Sequence, residues 1–166
     1  MRTMIIAAAA LLLGACATDN APPPQTGPQP IETDSITLET QPCFGACPVY
    51  AVTVTPDGHG VFTGKRFTAV TGDHDFTLSR VDYRHFAEAL APYHPAGGEV
   101  RYEMGSANCG PAPTDMPSID VTWSSQIGSS ERLHFYFGCS RKNPDLAAAL
   151  RAAPGLLPIA DMIGKH

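Results

Sequence analysis

Val49-Tyr50-Ala51-Val52-Thr53-Val54, then Pro56-Asp57-Gly58-His59-Gly60, then Val61-Phe62-Thr63 sets two apolar segments around a short polar one. The flanking segments are β-branched and aromatic, as pleated strands favour. The middle segment is turn chemistry: proline presets φ, and glycine admits the positive φ that a tight reversal requires. Together they predict a β-hairpin. Upstream, Ile36-Thr37-Leu38-Glu39 alternates and predicts a preceding strand; downstream, Phe76 and Leu78 predict a fourth that ends at Ser79.

Ser79-Arg80-Val81-Asp82 has the form of a capping box, and Leu78 and Tyr83 are spaced as a hydrophobic staple. Tyr83, Phe86, Ala87 and Leu90 recur on one face, so the spacing predicts a helix over residues 80–90, stopped by Pro92, Pro95 and Gly97-Gly98. Residues 100–103 read as a short strand and 104–117 as a long irregular loop. Ile119, Val121 and Trp123 alternate, residues 124–130 are polar, and Leu133, Phe135 and Phe137 alternate again, which predicts a second hairpin. Asn143-Pro144-Asp145 supplies an N-cap, a proline at the first helical position and an acidic first turn for a second helix carrying Leu146, Ala149 and Leu150. It breaks at Pro154-Gly155, and Pro158 starts a last helical turn through Met162 and Ile163. The class is α+β: a largely antiparallel sheet of about five to six strands with two helices packed on one face.

A chain of 166 residues has room for one modest core, and a net charge of -5 lacks the basic footprint that a phosphate backbone demands, so nucleic acid is not expected as a partner. The first residues, MRTMIIAAAALLLGAC, place one arginine before an apolar run of about ten residues, half of what a membrane-crossing helix needs. Residues 1–15 therefore read as an export signal. Leu13-Gly14-Ala15-Cys16 resembles the bacterial lipobox, which implies that Cys16 becomes the lipidated first residue of the mature chain. Its acyl chains, at ~0.8 kcal/mol per buried CH₂, would be the membrane anchor. With Ala17 and Thr18 following, the resemblance to bacterial sorting signals implies an outer-membrane lipoprotein in the cell envelope, facing the periplasm or the cell surface. Residues 16–34 carry five prolines after Cys16 and read as a tether reaching roughly 50 Å. Residues 35–166 form the domain.

Cys43, Cys47, Cys109 and Cys139 are an even set in an oxidising compartment, where disulfides are the default. Four cysteines allow three connectivities. The pairing we favour is Cys43 with Cys47 and Cys109 with Cys139, closing loops worth about 2 and ~3.7 kcal/mol in the chain-entropy model. A sharper reading makes Cys43-Phe44-Gly45-Ala46-Cys47-Pro48 a catalytic redox pair. Against it, three residues intervene rather than two, and a strand follows where a helix N-terminus would lower the thiol pKa. The six histidines show no paired ligand spacing and read as exposed turn and helix-face residues, with His134 on the outward face of its strand, so no metal or cofactor is expected. Asp73, Asp75 and Asp115 are acid–base candidates that nothing in the sequence brings together.

Pro42-Cys43-Phe44-Gly45-Ala46-Cys47-Pro48-Val49-Tyr50, with the hairpin after it, resembles a family of bacterial exported and lipid-anchored domains of unknown function whose hallmark is Cys-Phe-Gly-x-Cys-Pro-x-Tyr. Thr114-Asp115-Met116-Pro117 and Tyr136-Phe137-Gly138 resemble its later segments. The resemblance implies an extent and a compartment but no reaction; Cys109 and Cys139 stand outside its pattern. The expected function is a non-enzymatic binding or structural module for an envelope protein, peptide or cell-wall component, with thiol–disulfide oxidoreduction at Cys43 and Cys47 as the alternative. Phe44 is the candidate contact residue, with Tyr50 and the loop from Cys109 to Asp115 as neighbours. Two placements of Phe44 are open: folded back over the sheet edge, or exposed on the loop.

Overall fold

The computed structural model describes residues 34–165. The expected signal peptide, Cys16 and all of the tether except Asp34 lie outside the described residues. The elements in order are β1 (Ser35–Thr40), β2 (Val49–Val54), β3 (His59–Arg66), β4 (Gly72–Thr77), α1 (Arg80–Leu90), β5 (Glu99–Tyr102), β6 (Ser118–Ser124), β7 (Ser130–Tyr136), α2 (Pro144–Ala152) and the short α3 (Ala160–Ile163). All seven strands join one open sheet in the order β4-β3-β2-β1-β6-β7-β5, antiparallel throughout except for β5 on β7.

Seven strands correct the expected five to six. The sheet gains length at its rims, where β4 begins at Gly72 rather than Phe76 and β5 spans only four residues. Both rims carry charge, Asp73, His74 and Asp75 on β4 and Glu99 and Arg101 on β5. Charged edges resist pairing with other chains, and on β4 the run Gly72-Asp73-His74-Asp75 also hides the strand's start, whereas β5 keeps its alternation.

One face of the sheet is dry. Ile36, Leu38, Val52, Val54, Phe62, Val121, Leu133 and Phe135 are buried there. They pack against Tyr83, Phe86 and Leu90 of α1 and Leu146 and Leu150 of α2, and Leu157 and Ile159 close the layer. α1 starts as its sequence predicts: the Ser79 hydroxyl oxygen accepts from the Asp82 amide at 3.1 Å. α2 does not. The Asn143 side chain makes no cap; its amide donates to the carbonyls of Asn108 (2.9 Å) and Cys139 (3.2 Å). Asn143 thus ties the long loop to the 3₁₀ turn Phe137–Arg141. The Cys109 and Cys139 sulfurs lie at disulfide distance in the same place, and Lys142 donates to Ala107 O at 2.6 Å.

The β2–β3 turn rests on glycine. Gly58 has φ +92°, and a Cβ there would sit 2.2 Å from the Leu78 carbonyl oxygen. Gly72 also has positive φ, +83°, but open space around it. Gly58→Ala should therefore combine backbone strain with a clash against main chain, costing on the order of 2–4 kcal/mol, while Gly72→Ala carries the strain alone, about 1–2 kcal/mol. Thermal melts of the two variants check this; equal Tm values would contradict it.

Candidate functional site

The strand register sorts the loops. Thr40 pairs with Ile119 and Ser35 with Ser124, so loops 41–48, 67–71 and 103–117 leave one end of the sheet and turns 55–58 and 125–129 leave the other. At the first end, Phe44 is 88% exposed. It projects from a loop whose closing residues, Cys43 and Cys47, have their sulfurs at disulfide distance. Phe67, Met104 and Met116 are further exposed apolar side chains on loops of that end.

The expected neighbours of Phe44 divide. Tyr50 is buried, its ring stacked on Phe62 at 5.2 Å between centroids, and burial pushes its hydroxyl up to about 12. It follows the parity of Val52 and Val54, which face the helices, so it braces the base of the loop from inside and presents nothing to a partner. Asp115 is exposed with φ +66°, and its carboxylate accepts from the Thr114 hydroxyl at 3.0 Å. The loop around it is fixed to β7 because the Tyr136 hydroxyl donates to Pro113 O (2.7 Å) and accepts from the Met116 amide (3.2 Å). Cys43 and Cys47 are half-buried, and the chain beyond them enters β2 with no helix between.

A second cluster lies on the sheet face that the helices leave open. Asp120 alternates with Ile119 and Val121, so it points away from the core, directly between Glu39 on β1 and His134 on β7. Two carboxylates opposite one another in a sheet repel. Each is answered by cations: Lys65 Nζ sits 2.6 Å from Glu39, while Asp120 accepts from His134 Nδ1 at 2.7 Å, Gln41 Nε2 at 2.8 Å and Arg132 Nη2 at 3.1 Å. These side chains roof Asp120, leaving it only 4% exposed on an otherwise open face. Burial alone would raise its carboxyl; the three hydrogen bonds outweigh burial and hold it down at about 2. The network continues to β5, where Arg101 donates to Glu99 at 2.5 Å and to Glu103, and Arg132 Nε stands 3.9 Å from Glu99.

A family model described as a domain of unknown function, DUF6438, matches residues 34–157, from the start of β1 past the end of α2. The chain belongs to the DUF6438 family. No curated protein and no solved structure matches it.

In this DUF6438 domain the residues that sequence reading picked for acid–base chemistry stay apart. Asp73 accepts from Thr63 and Asp75 pairs with His59, both at the β4 rim, whereas Asp115 lies beside β6. His134 lies on the outward face of β7 as expected, though roofed over rather than open, and His94 departs from the expected exposed placement. His94 stacks on Trp123 at 4.5 Å, its Nε2 is 3.7 Å from Glu131, and His134 is held against Asp120. Among the described residues, no group of three or more His, Cys, Asp or Glu is arranged to hold a metal ion. The Asp120–His134 pair was readable in principle: closing the β6–β7 hairpin around residues 125–129 sets the register that places these two opposite each other.

Asp120 gives the DUF6438 domain an acid-side dependence. Its folded pKa lies below the ordinary value of 3.8, so its contribution is complete above about pH 4 and is lost as pH falls through about 2. Asp120→Asn should cost about 2 kcal/mol at pH 7, and the gap to wild type should close steadily between pH 4 and 2. Urea denaturation at neutral and acid pH reads both; a gap of constant size would show that the carboxylate charge contributes nothing.

Proposed function

We propose that this chain is a lipid-anchored protein of the bacterial cell envelope, held at the outer membrane through Cys16, whose domain works as a non-enzymatic binding module presenting the Phe44 loop to an envelope protein, peptide or cell-wall component. The observation that carries the binding reading is the exposure of Phe44, 88%, on a loop closed at its base by Cys43 and Cys47. A large aromatic ring left in water supplies no folding energy. On a short closed loop it loses little freedom when a partner covers it, which is the property of a binding anchor. The lipobox resemblance of Leu13-Gly14-Ala15-Cys16 supports the anchor, and the mature chain, ten cations against 16 anions after loss of Arg2, has no electrostatic route to an anionic membrane.

The competing reading, thiol–disulfide exchange at Cys43 and Cys47, asks for a stabilised thiolate. The strand that follows Cys47 supplies no helix dipole to make one.

Cys16→Ser should abolish acylation of the N-terminus and shift the protein out of the membrane fraction, as mass spectrometry of fractionated cells would show; an unacylated chain retained in the membrane refutes the anchor. Phe44→Ala should leave Tm within the error of wild type, because the ring covers no core, while abolishing photocrosslinking to envelope partners from a probe placed at Ala46. A lowered Tm, or unchanged crosslinking, would refute Phe44 as the contact. Rapid reduction of the native protein by glutathione, with turnover lost in Cys43→Ser, would favour the redox reading instead.

A further inference from the structure

Asp120 is ionised at neutral pH, so it only accepts hydrogen bonds, and the ring nitrogen facing it must carry a proton. Neutral His134 is therefore the Nδ1–H tautomer, and its Nε2 makes no hydrogen bond among the described residues, although the ring lies close enough to Glu103 to help hold that carboxyl below its ordinary range. Around His134 the register sets Arg101 directly across on β5 and Arg132 two residues before it on β7, with Glu99 and Glu103 flanking Arg101. Arg101 uses three of its five N–H groups on those glutamates, and only one oxygen of each glutamate is engaged. The cluster thus offers unused donors and unused acceptors side by side, each held by its neighbours.

Its charge balance selects the ligand. Two guanidiniums are interleaved with three carboxylates, so a polyanion meets Glu99, Glu103 and Asp120, and a polycation meets Arg101 and Arg132. A neutral ligand whose groups both donate and accept satisfies every member, and hydroxyl groups do that. Tyr136 stands next to His134 on the same face of β7, its hydroxyl fixed to Pro113 and Met116 and its ring packed in part against the core, so it marks one border of the cluster. We propose that the open face around His134, Arg101, Arg132 and Tyr136 is a binding site for a neutral, hydroxyl-rich oligosaccharide, with His134 Nε2 accepting from a ligand hydroxyl. This rests on reading the domain as a binding module and names the chemistry of one ligand, at a site separate from Phe44.

The test is titration of the full chain in detergent, labelled with ¹⁵N-histidine, with chitotetraose and maltotetraose, alongside a sulfated oligosaccharide and oligolysine. The His134 Nε2 resonance should move saturably with at least one neutral sugar and with neither charged ligand, and His134→Leu should weaken that binding ten-fold or more. Arg101→Met, at the exposed rim, should weaken it comparably without loss of fold, which keeps the test decisive if His134→Leu unfolds. No saturable shift with either neutral sugar, or a stronger response to a charged ligand, overturns the site. Loss of this site with Phe44-dependent crosslinking intact would leave the binding-module reading standing, whereas loss of both would remove that as well.

Discussion

The ladder between β1 and β6 is the constraint on which the rest of the molecule depends. Six residue pairs, from Ser35 with Ser124 to Thr40 with Ile119, join segments more than seventy residues apart and set β1 at the centre of the sheet. On one side of that seam hangs the meander β1 to β4, and on the other the unit β6, β7 and β5. Strand side chains alternate with a period of two, so slipping this pairing by one residue would turn Ile36 and Leu38 against the wrong face of Val121 and Trp123. The dry face exists because both strands present their apolar set in phase.

The same register builds the wet face, at an electrostatic cost. Keeping Ile36 and Leu38 opposite Trp123 and Val121 forces Glu39 opposite Asp120. The repulsion is offset from outside the seam, by Lys65 from β3 and by Gln41, Arg132 and His134 around Asp120. Gln41 takes part in the register as well, its backbone amide donating to Ser118 O at 2.9 Å while its side chain holds Asp120. The polar cluster is therefore a consequence of the core pairing, and the unused hydrogen-bonding capacity of His134 and Arg101 follows from how that charge conflict is resolved.

Much of this fold was legible locally. The Pro56-Asp57-Gly58 turn, the Ser79 cap and the apolar face of Tyr83, Phe86 and Leu90 are all short-range signals, and each element formed where those signals stand. What was hidden depends on partners distant in sequence. Residues 100–103 read as a strand, but nothing local shows that β5 pairs parallel with β7 at the rim. Asn143 has the composition of a cap but is drawn to Asn108 and Cys139 once the long loop packs there. Tyr50 belongs to the quoted cysteine motif and yet turns inward by strand parity, while Phe44, in the same motif, stays outside. Asp120 and His134 each look unremarkable alone; only the hairpin register makes them a pair.

The β1–β6–β7 register fixes an ionised Asp120 against Nδ1 of His134, and the imidazole tautomer reads that arrangement out. Long-range ¹H–¹⁵N correlation spectra of the ¹⁵N-histidine-labelled full chain, recorded without ligand at about pH 8, assign the proton to one ring nitrogen. Nδ1–H is expected for His134, reverting to Nε2–H in Asp120→Ala. An Nε2–H tautomer in the wild-type protein, or one indifferent to Asp120→Ala, would contradict it.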